Sequence, residues 1–168
     1  VDVIREGFDC VVRVGEVHDS SLVARPLGHF AMVNCASPAY LAQYGMPQSL
    51  DDLAQHRLIH YVGVLGTRSD GFEYQVDGVT AYRSMPGNIT VNNIDAYEGT
   101  CLGGLGIIQA PLVGMRALLV EGLLCSILPA YVPAPMPVSL LYAHRHQPQR
   151  VRAFMHWLEA LITEETSA

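Results

Sequence analysis

The sequence predicts an α/β chain organised as two lobes, and three observations carry that expectation. Short apolar runs of strand length alternate with helix start and stop signals along most of the chain. Such alternation implies crossover units and a largely parallel sheet. Asp77-Gly78 lies between two alternating segments, which is a strong two-residue hairpin signal. The Pro-rich stretch from Pro129 to Pro137 follows a full set of elements and precedes one more strand and helix. It reads as a crossing between lobes. Residues 34–136 then form one complete lobe. Residues 1–33 and 137–168 form the other, which is short of strands.

Each element has a local reason. Val3 to Glu6 looks like the last turn of a helix, with Gly7 as its C′ residue. Asp9 to Val14 is almost continuously apolar, as expected of a parallel strand covered on both faces. Leu22 to Leu27 and Ala31 to Cys35 read as further strands. Ser37 can cap the next helix, Pro38 suits its first position and Gly45 ends it. Ser49 and Asp52 approximate a capping box for a second short helix. Leu58 to Val62 is a strand, and Gly63 to Gly71 a polar loop. Phe72 to Val76 and Val79 to Arg83 are the hairpin arms. Asn88 to Val91 is a strand, and either Asn92 or Asn93 can cap the helix that runs to Leu102 and stops at Gly103-Gly104. Leu105 to Ala110 is a strand. Pro111 opens a helix over Leu112 to Leu119 that stops near Gly122. Leu124 to Leu128 and Val138 to Ala143 are strands. The last helix spans Pro148 to Thr163, with Val151, Phe154, Trp157, Leu158 and Leu161 assigned to one face.

Composition narrows the function classes. Of 168 residues, 50% are hydrophobic and 15% charged, so the chain is globular rather than disordered. No stretch approaches the ~18 uninterrupted apolar residues of a membrane span. The first residues carry acids and lack the basic start and apolar run of a secretory leader. The chain does not begin with Met and is read as a piece of a longer protein. The formal net charge is −6, and all ten basic residues are scattered arginines. No basic stripe is available for phosphates, so this piece is not expected to bind DNA directly. The four cysteines, Cys10, Cys35, Cys101 and Cys125, form no C-x-x-C pair and mostly sit in apolar runs. They read as small buried hydrophobes in a reducing, cytoplasmic setting.

Several positions could carry function. Asn92-Asn93 lies at a strand-to-helix junction, where free N–H groups and the positive dipole end attract carboxylates; the same Asn side chains could simply cap the helix. Ser37-Pro38 is a second such junction, with the same alternative. Arg13 ends an apolar strand, and its guanidinium would fit a carboxylate ligand or a structural acid. Gly15 follows it. His60 and Tyr61 end a strand, and ligands of open α/β sheets sit beyond the carboxyl ends of strands. His56 with His60, and His144 with His146, are spaced closely, but no third metal ligand is set by spacing. Neither a metal nor another cofactor is expected. G-x-S-x-G and a phosphate loop are absent, and Gly103-Gly104-Leu105-Gly106 follows a helix instead of a strand, the wrong order for a dinucleotide fingerprint. An enzyme is not expected.

The chain resembles the effector-binding domain of LysR-type transcriptional regulators. The resemblance rests on Glu6-Gly7-Phe8-Asp9 with Arg13 and Gly15, on Asp19-Ser20-Ser21-Leu22, and on Cys35-Ala36-Ser37-Pro38-Ala39-Tyr40-Leu41. Asp52 to Arg57, Val91-Asn92-Asn93, Gly103 to Ile107 and Val151 to Phe154 continue it over nearly the whole chain. It implies the type 2 periplasmic-binding-protein fold, with two Rossmann-like lobes joined by two crossings and a small effector between them. The first lobe is incomplete against that pattern. The family's first strand–helix–strand and its helix-turn-helix DNA-binding domain are not in this chain. The resemblance further implies an effector site lined by Arg13 and Gly15 from the first lobe, and by Ser37, His60, Tyr61, Asn92 and Asn93 from the second. It implies homodimers or homotetramers and DNA contact through the missing domain only, with no membrane partner. Arg13 and the helix ends favour a small carboxylate or aromatic acid as effector. A solute-binding protein of a transport system, which shares the fold, is the alternative.

Overall fold

The computed structural model describes residues 8–17, 22–143 and 148–167. The expected helix end at Val3–Gly7, the Asp19-Ser20-Ser21 turn and the His144–His146 pair lie outside the described residues. The chain divides into two compact units, Val1–Ala31 with Pro135–Ala168, and Met32–Ala134.

Among the described residues the first unit is a three-stranded antiparallel sheet with one helix. Strands β1 (Val11–Val14) and β2 (Val23–Phe30) flank the central β10 (Met136–Tyr142). In register, Val11 faces Leu141 and Arg13 faces Ser139. The expectation of a parallel strand covered on both faces fails here: β1 pairs antiparallel, and Val12 and Val14 are each 38% exposed. The doubly covered strand is β10, whose Val138, Leu140 and Leu141 are buried. Pro26 is tolerated because β2 is an edge strand. Helix α4 (Gln149–Ser167) packs on β2, and Arg25 clamps Glu159 with two charge-assisted bonds of 2.8 and 2.7 Å. Its inward residues are Val151 and Met155, while Phe154, Trp157 and Leu161 are exposed. The sequence pattern had grouped Val151 with those three. The two stripes lie side by side on the helix, and packing on β2 selects the one carrying Met155.

The second unit holds the larger core. Strand β3 (Met32–Ala36) is its centre, buried along its whole length and flanked by β8 (Ile108–Pro111) and β9 (Cys125–Ser126), both antiparallel to it. Strands β4 (Ile59–Tyr61) and β7 (Ile89–Val91) pair in parallel, and a parallel bridge from Leu58 to Ile107 joins β4 to the start of β8. The largely parallel sheet expected from the sequence is therefore mixed, and β3 runs against β4, β7 and β8. Alternation along β3 sorts side chains to two apolar clusters. Val33 and Cys35 meet Tyr97, Cys101, Ile108 and Met115. Ala36 meets Tyr40, Leu53, Phe72, Ile107 and Ile127 on the other face. Each fully buried Leu, Ile or Phe in these clusters contributes about 1.5–3 kcal/mol.

The helices follow their sequence signals closely. Helix α1 (Pro38–Tyr44) has Ser37 as N-cap, Pro38 in its first turn and Gly45 as C-cap. Helix α2 (Ile94–Leu102) uses Asn93 rather than Asn92 as its cap. Helix α3 (Leu112–Val120) follows Pro111 and ends before Gly122, which adopts φ +73°. Asp51–Gln55 forms a 3-10 turn in which Asp52 accepts the amides of Gln48 and Ser49, so only the acidic half of the expected capping box forms. Strand β9 is shorter than expected because Leu128 takes φ +44° and Pro129 follows, which ends ladder geometry. Strands β5 (Phe72–Val76) and β6 (Val79–Arg83) form the predicted hairpin, with Asp77 at φ 51° and Gly78 at φ 77° as a primed turn needs.

Candidate functional site

The predicted site residues of the second unit fall at three separate places, and strand direction decides which. The carboxyl ends of the parallel pair β4–β7 bring Tyr61, Asn92 and Asn93 to one edge. Tyr61 lies opposite Val91, and the Val62 amide donates to the Val91 carbonyl at 2.9 Å. Tyr61 is 42% exposed and packs edge-on against Tyr97 of α2, with ring centroids 5.3 Å apart. Asn93 Oδ1 accepts the Ala96 amide at 2.8 Å, which satisfies one of the free N–H groups that begin α2. Asn92 and Asn93 are both exposed.

Ser37 is not brought to that edge. Because β3 runs antiparallel to β8, its carboxyl end lies at the opposite side of the sheet. Ser37 is 2% exposed, accepts the Tyr40 amide at 3.4 Å and lies beside Gly104, just past the carboxyl end of α2. Asn93 caps the other end of that helix of nine residues, which is about 13 Å long at 1.5 Å per residue. Two capped junctions that look alike in sequence are thus a helix length apart.

His60 takes the third place. Successive strand side chains point to opposite faces, so His60 leaves on the side away from Tyr61. There it helps line a cavity of about 440 Å³ with Arg68, Ser69, Asp70, Gly71, Ser84 and Met85. Arg68, Asp70 and Ser84 form an exposed rim, and Met85 is buried. Two glycines shape this place. A Cβ on Gly87 would stand 2.1 Å from the Leu58 carbonyl oxygen and 2.6 Å from His60 Nε2, so only glycine lets the chain lie against the imidazole. A Cβ on Gly71 would stand 2.4 Å from the Arg83 carbonyl oxygen, at the base of the hairpin. His60 Nδ1 is buried with no hydrogen-bond partner, alone in that respect among the buried side-chain polar atoms of the described residues. Burial lowers the His60 pKa below its usual value, so the ring is neutral near pH 7. A neutral imidazole with a free nitrogen can donate or accept one hydrogen bond.

Beneath the neighbouring surface, His56 is buried and its Nδ1 lies 3.1 Å from the Tyr40 hydroxyl. That hydroxyl also accepts the Arg57 amide at 2.8 Å. His56 Nδ1 is thus engaged within the second unit. Arg68, Ser69, Asp70 and Ser84 were missed by sequence reasoning, which read residues 63–71 only as a loop. The available signal was the hairpin: closing Phe72–Arg83 on Asp77-Gly78 brings Ser84 back beside Gly71. In the first unit, Arg13 is exposed on β1, and Gly15, at φ +99°, donates its amide to the Pro137 carbonyl at 2.8 Å.

A family model described as the LysR substrate binding domain matches residues 1–162. The chain belongs to the LysR family. It is 44% identical over 166 residues to YhjC, an uncharacterised HTH-type transcriptional regulator of Escherichia coli K12, covering 98% of this chain and 55% of that protein. The chain thus spans about half the length of the curated relatives it matches. Among solved structures it is similar to the regulatory domain of CrgA, a LysR-type transcriptional regulator from Neisseria meningitidis, with a TM-score of 0.76, 27% identity and coverage of 97% of this chain and 78% of that one. Full-length AphB, a Vibrio cholerae virulence activator, matches with a TM-score of 0.70 and 31% identity over 90% of this chain and 51% of that one. These neighbours carry the type 2 periplasmic-binding-protein-like fold that the sequence predicts. The relatives are regulators, and they give no support to the transport reading. No helix among the described residues is long and apolar enough to cross a membrane.

Proposed function

We propose that this chain is the effector-sensing part of a LysR-type transcriptional regulator, which binds a small carboxylate and so changes DNA binding by the full-length protein. DNA contact is made by a segment outside these 168 residues, and the regulator works as a homodimer or homotetramer in the cytoplasm. The observation that carries the reading is the polar cavity at His60. It combines Arg68 and Asp70 at the rim, two serine hydroxyls and a buried imidazole nitrogen without a partner, within a volume suited to a small molecule. Guanidinium and hydroxyl donors favour a carboxylate. The exposed edge at Tyr61, Asn92 and Asn93, on the other face of β4, is the alternative contact surface of the second unit, and Arg13 and Gly15 are the candidate contacts within the first. Binding alone is enough for this role, and no catalytic step is required. The effector acts by preferring one arrangement of the protein, and a tenfold preference shifts the balance by about 1.4 kcal/mol.

Thermal melting of the full-length protein against a panel of small aliphatic and aromatic acids tests this, with a promoter-DNA mobility shift beside it. The expected result is one acid that raises the melting temperature and alters the DNA complex, with both responses weakened by Arg68→Ala. A panel that leaves melting and DNA binding untouched refutes the carboxylate reading.

A further inference from the structure

The cavity and one of the two chain crossings are joined by a single element, the β5–β6 hairpin. Gly71 enters the hairpin and Ser84 and Met85 leave it, so its base forms one wall of the cavity. Its first strand, β5, docks along the segment that ends at the crossing Ala134–Pro135. The Gln75 amide donates to the Val132 carbonyl at 3.2 Å, the Ala134 amide donates to Glu73 Oε1 at 3.3 Å, and Tyr74 meets Tyr131 edge-on at 6.2 Å. Behind this contact lies a partly buried amide chain that ends on the fully buried Asn34. Gln109 treats Glu73 as a strand partner: its Oε1 accepts the Glu73 amide at 2.8 Å and its Nε2 donates to the Glu73 carbonyl at 2.7 Å. The same Nε2 donates to Asn34 Oδ1 at 2.8 Å. Asn34 Nδ2 in turn holds the Leu128 and Tyr131 carbonyls at 3.2 and 2.9 Å. Both routes end on residues 128–134.

We propose that the β5–β6 hairpin is a relay that couples occupancy of the His60 cavity to the order of the crossing segment 128–134, through Glu73 and the Gln109–Asn34 pair. Buried amide networks have discrete arrangements, because a half-made one leaves unpaired groups in a low-dielectric interior. A shift at the hairpin base must therefore be followed by Glu73 and its partners or break their bonds. Proline at positions 129, 133, 135 and 137 stiffens the crossing, which limits how a displacement can be absorbed locally. The relay goes beyond the effector reading, on which it rests only in treating the cavity as the place that becomes loaded.

Its test therefore uses no ligand. Ser84→Trp, at the exposed rim, fills the cavity, and amide hydrogen exchange is followed on the full chain. The Ala134 amide is expected to change its exchange rate at least about threefold, while the Ile59 amide, bonded to the Ile107 carbonyl, stays unchanged as the reference for global stability. In a Glu73→Ala background, which removes the Ala134 acceptor and keeps the backbone bonds of residue 73 to Gln109, the Ser84→Trp effect on Ala134 disappears. If Ser84→Trp fails to fold, Ser84→Leu serves as the smaller plug. An unchanged Ala134 amide overturns the relay, and so does a response of the same size in the Glu73→Ala background. A failed ligand panel would refute the carboxylate effector and leave this result standing.

Discussion

Asn34→Leu is expected to be the most damaging near-isosteric substitution in the second unit. Asn34 is fully buried on the central strand β3. Its Nδ2 reaches the carbonyls of Tyr131, Leu128 and Ile127 at 2.9, 3.2 and 3.4 Å, and its Oδ1 accepts Gln109 Nε2 at 2.8 Å. Leucine fills the same space and makes none of these bonds. Two good donor bonds and one accepted bond are lost, each worth about 1 kcal/mol net, and a Gln109 N–H is left facing a methyl group at a further cost of about 1–3 kcal/mol. Burial of the apolar side chain returns about 1–2 kcal/mol. The balance is a destabilisation of about 2–5 kcal/mol, or a melting temperature lower by about 4–20 °C for a chain of this length. Urea unfolding followed by circular dichroism measures it, at unchanged slope. Adding Gln109→Leu removes the stranded partner, so the double variant should lose less than the sum of the two single ones. A single-variant loss under about 0.5 kcal/mol, or strict additivity, would refute the view that this network is a satisfied and cooperative unit.

Further outcomes follow from the same geometry. Tyr97→Phe removes the hydroxyl that accepts the Gln109 amide at 3.0 Å, and a loss of about 1–2 kcal/mol should appear in the same urea titration. Burial lowers the pKa of both His56 and His60, so the unfolded chain binds these protons more readily. Stability is then full above the unfolded histidine value of about 6.5 and declines as pH falls below it; denaturation between pH 8 and 5 should show that slope, and His60→Phe should reduce it. Cys35 and Cys101 are fully buried, and burial pushes both thiols up to about 12. An aromatic disulfide reagent at pH 8 should therefore label at most Cys10 and Cys125 in the native protein and all four cysteines after unfolding. Gly78→Ala, at φ 77° in the hairpin turn, should cost about 1 kcal/mol by differential scanning calorimetry.

Local signals proved dependable where the chemistry is local. Ser37, Pro38 and Gly45 bound α1, Asn93 begins α2, and Asp77-Gly78 turns the hairpin, because each depends on a few consecutive residues. The failures came where a partner decides. The apolar run at Val11–Val14 is compatible with a parallel or an antiparallel neighbour, and only the arrival of β10 fixes which. The apolar positions of α4 offer two adjoining stripes, and contact with β2 selects Val151 and Met155. Strand β3 reads as a plain apolar run interrupted by Asn34, and nothing nearby reveals that Gln109, 75 positions away, completes its hydrogen bonding.

The same distinction explains the candidate site. Sequence identifies strand-to-helix junctions by their caps, and a cap carries no record of the direction in which its strand enters the sheet. Ser37 and Asn93 have equivalent chemistry: each accepts an amide three residues on and each opens a helix with free N–H groups. Assigning both to one effector site assumes that their strands run the same way. The antiparallel pairing of β3 with β8, set against the parallel pairing of β4 with β7, puts the two junctions at opposite ends of α2. An alternating strand likewise parts His60 from Tyr61, although they are adjacent in sequence. Chemistry that converges must therefore be sought by edge and face. On that criterion the candidate surfaces of the second unit are the His60 cavity and the Tyr61–Asn93 edge, on opposite faces of β4. Arg68→Ala and Asn93→Ala should consequently separate in a binding titration: the one that lowers affinity names the face that the effector uses.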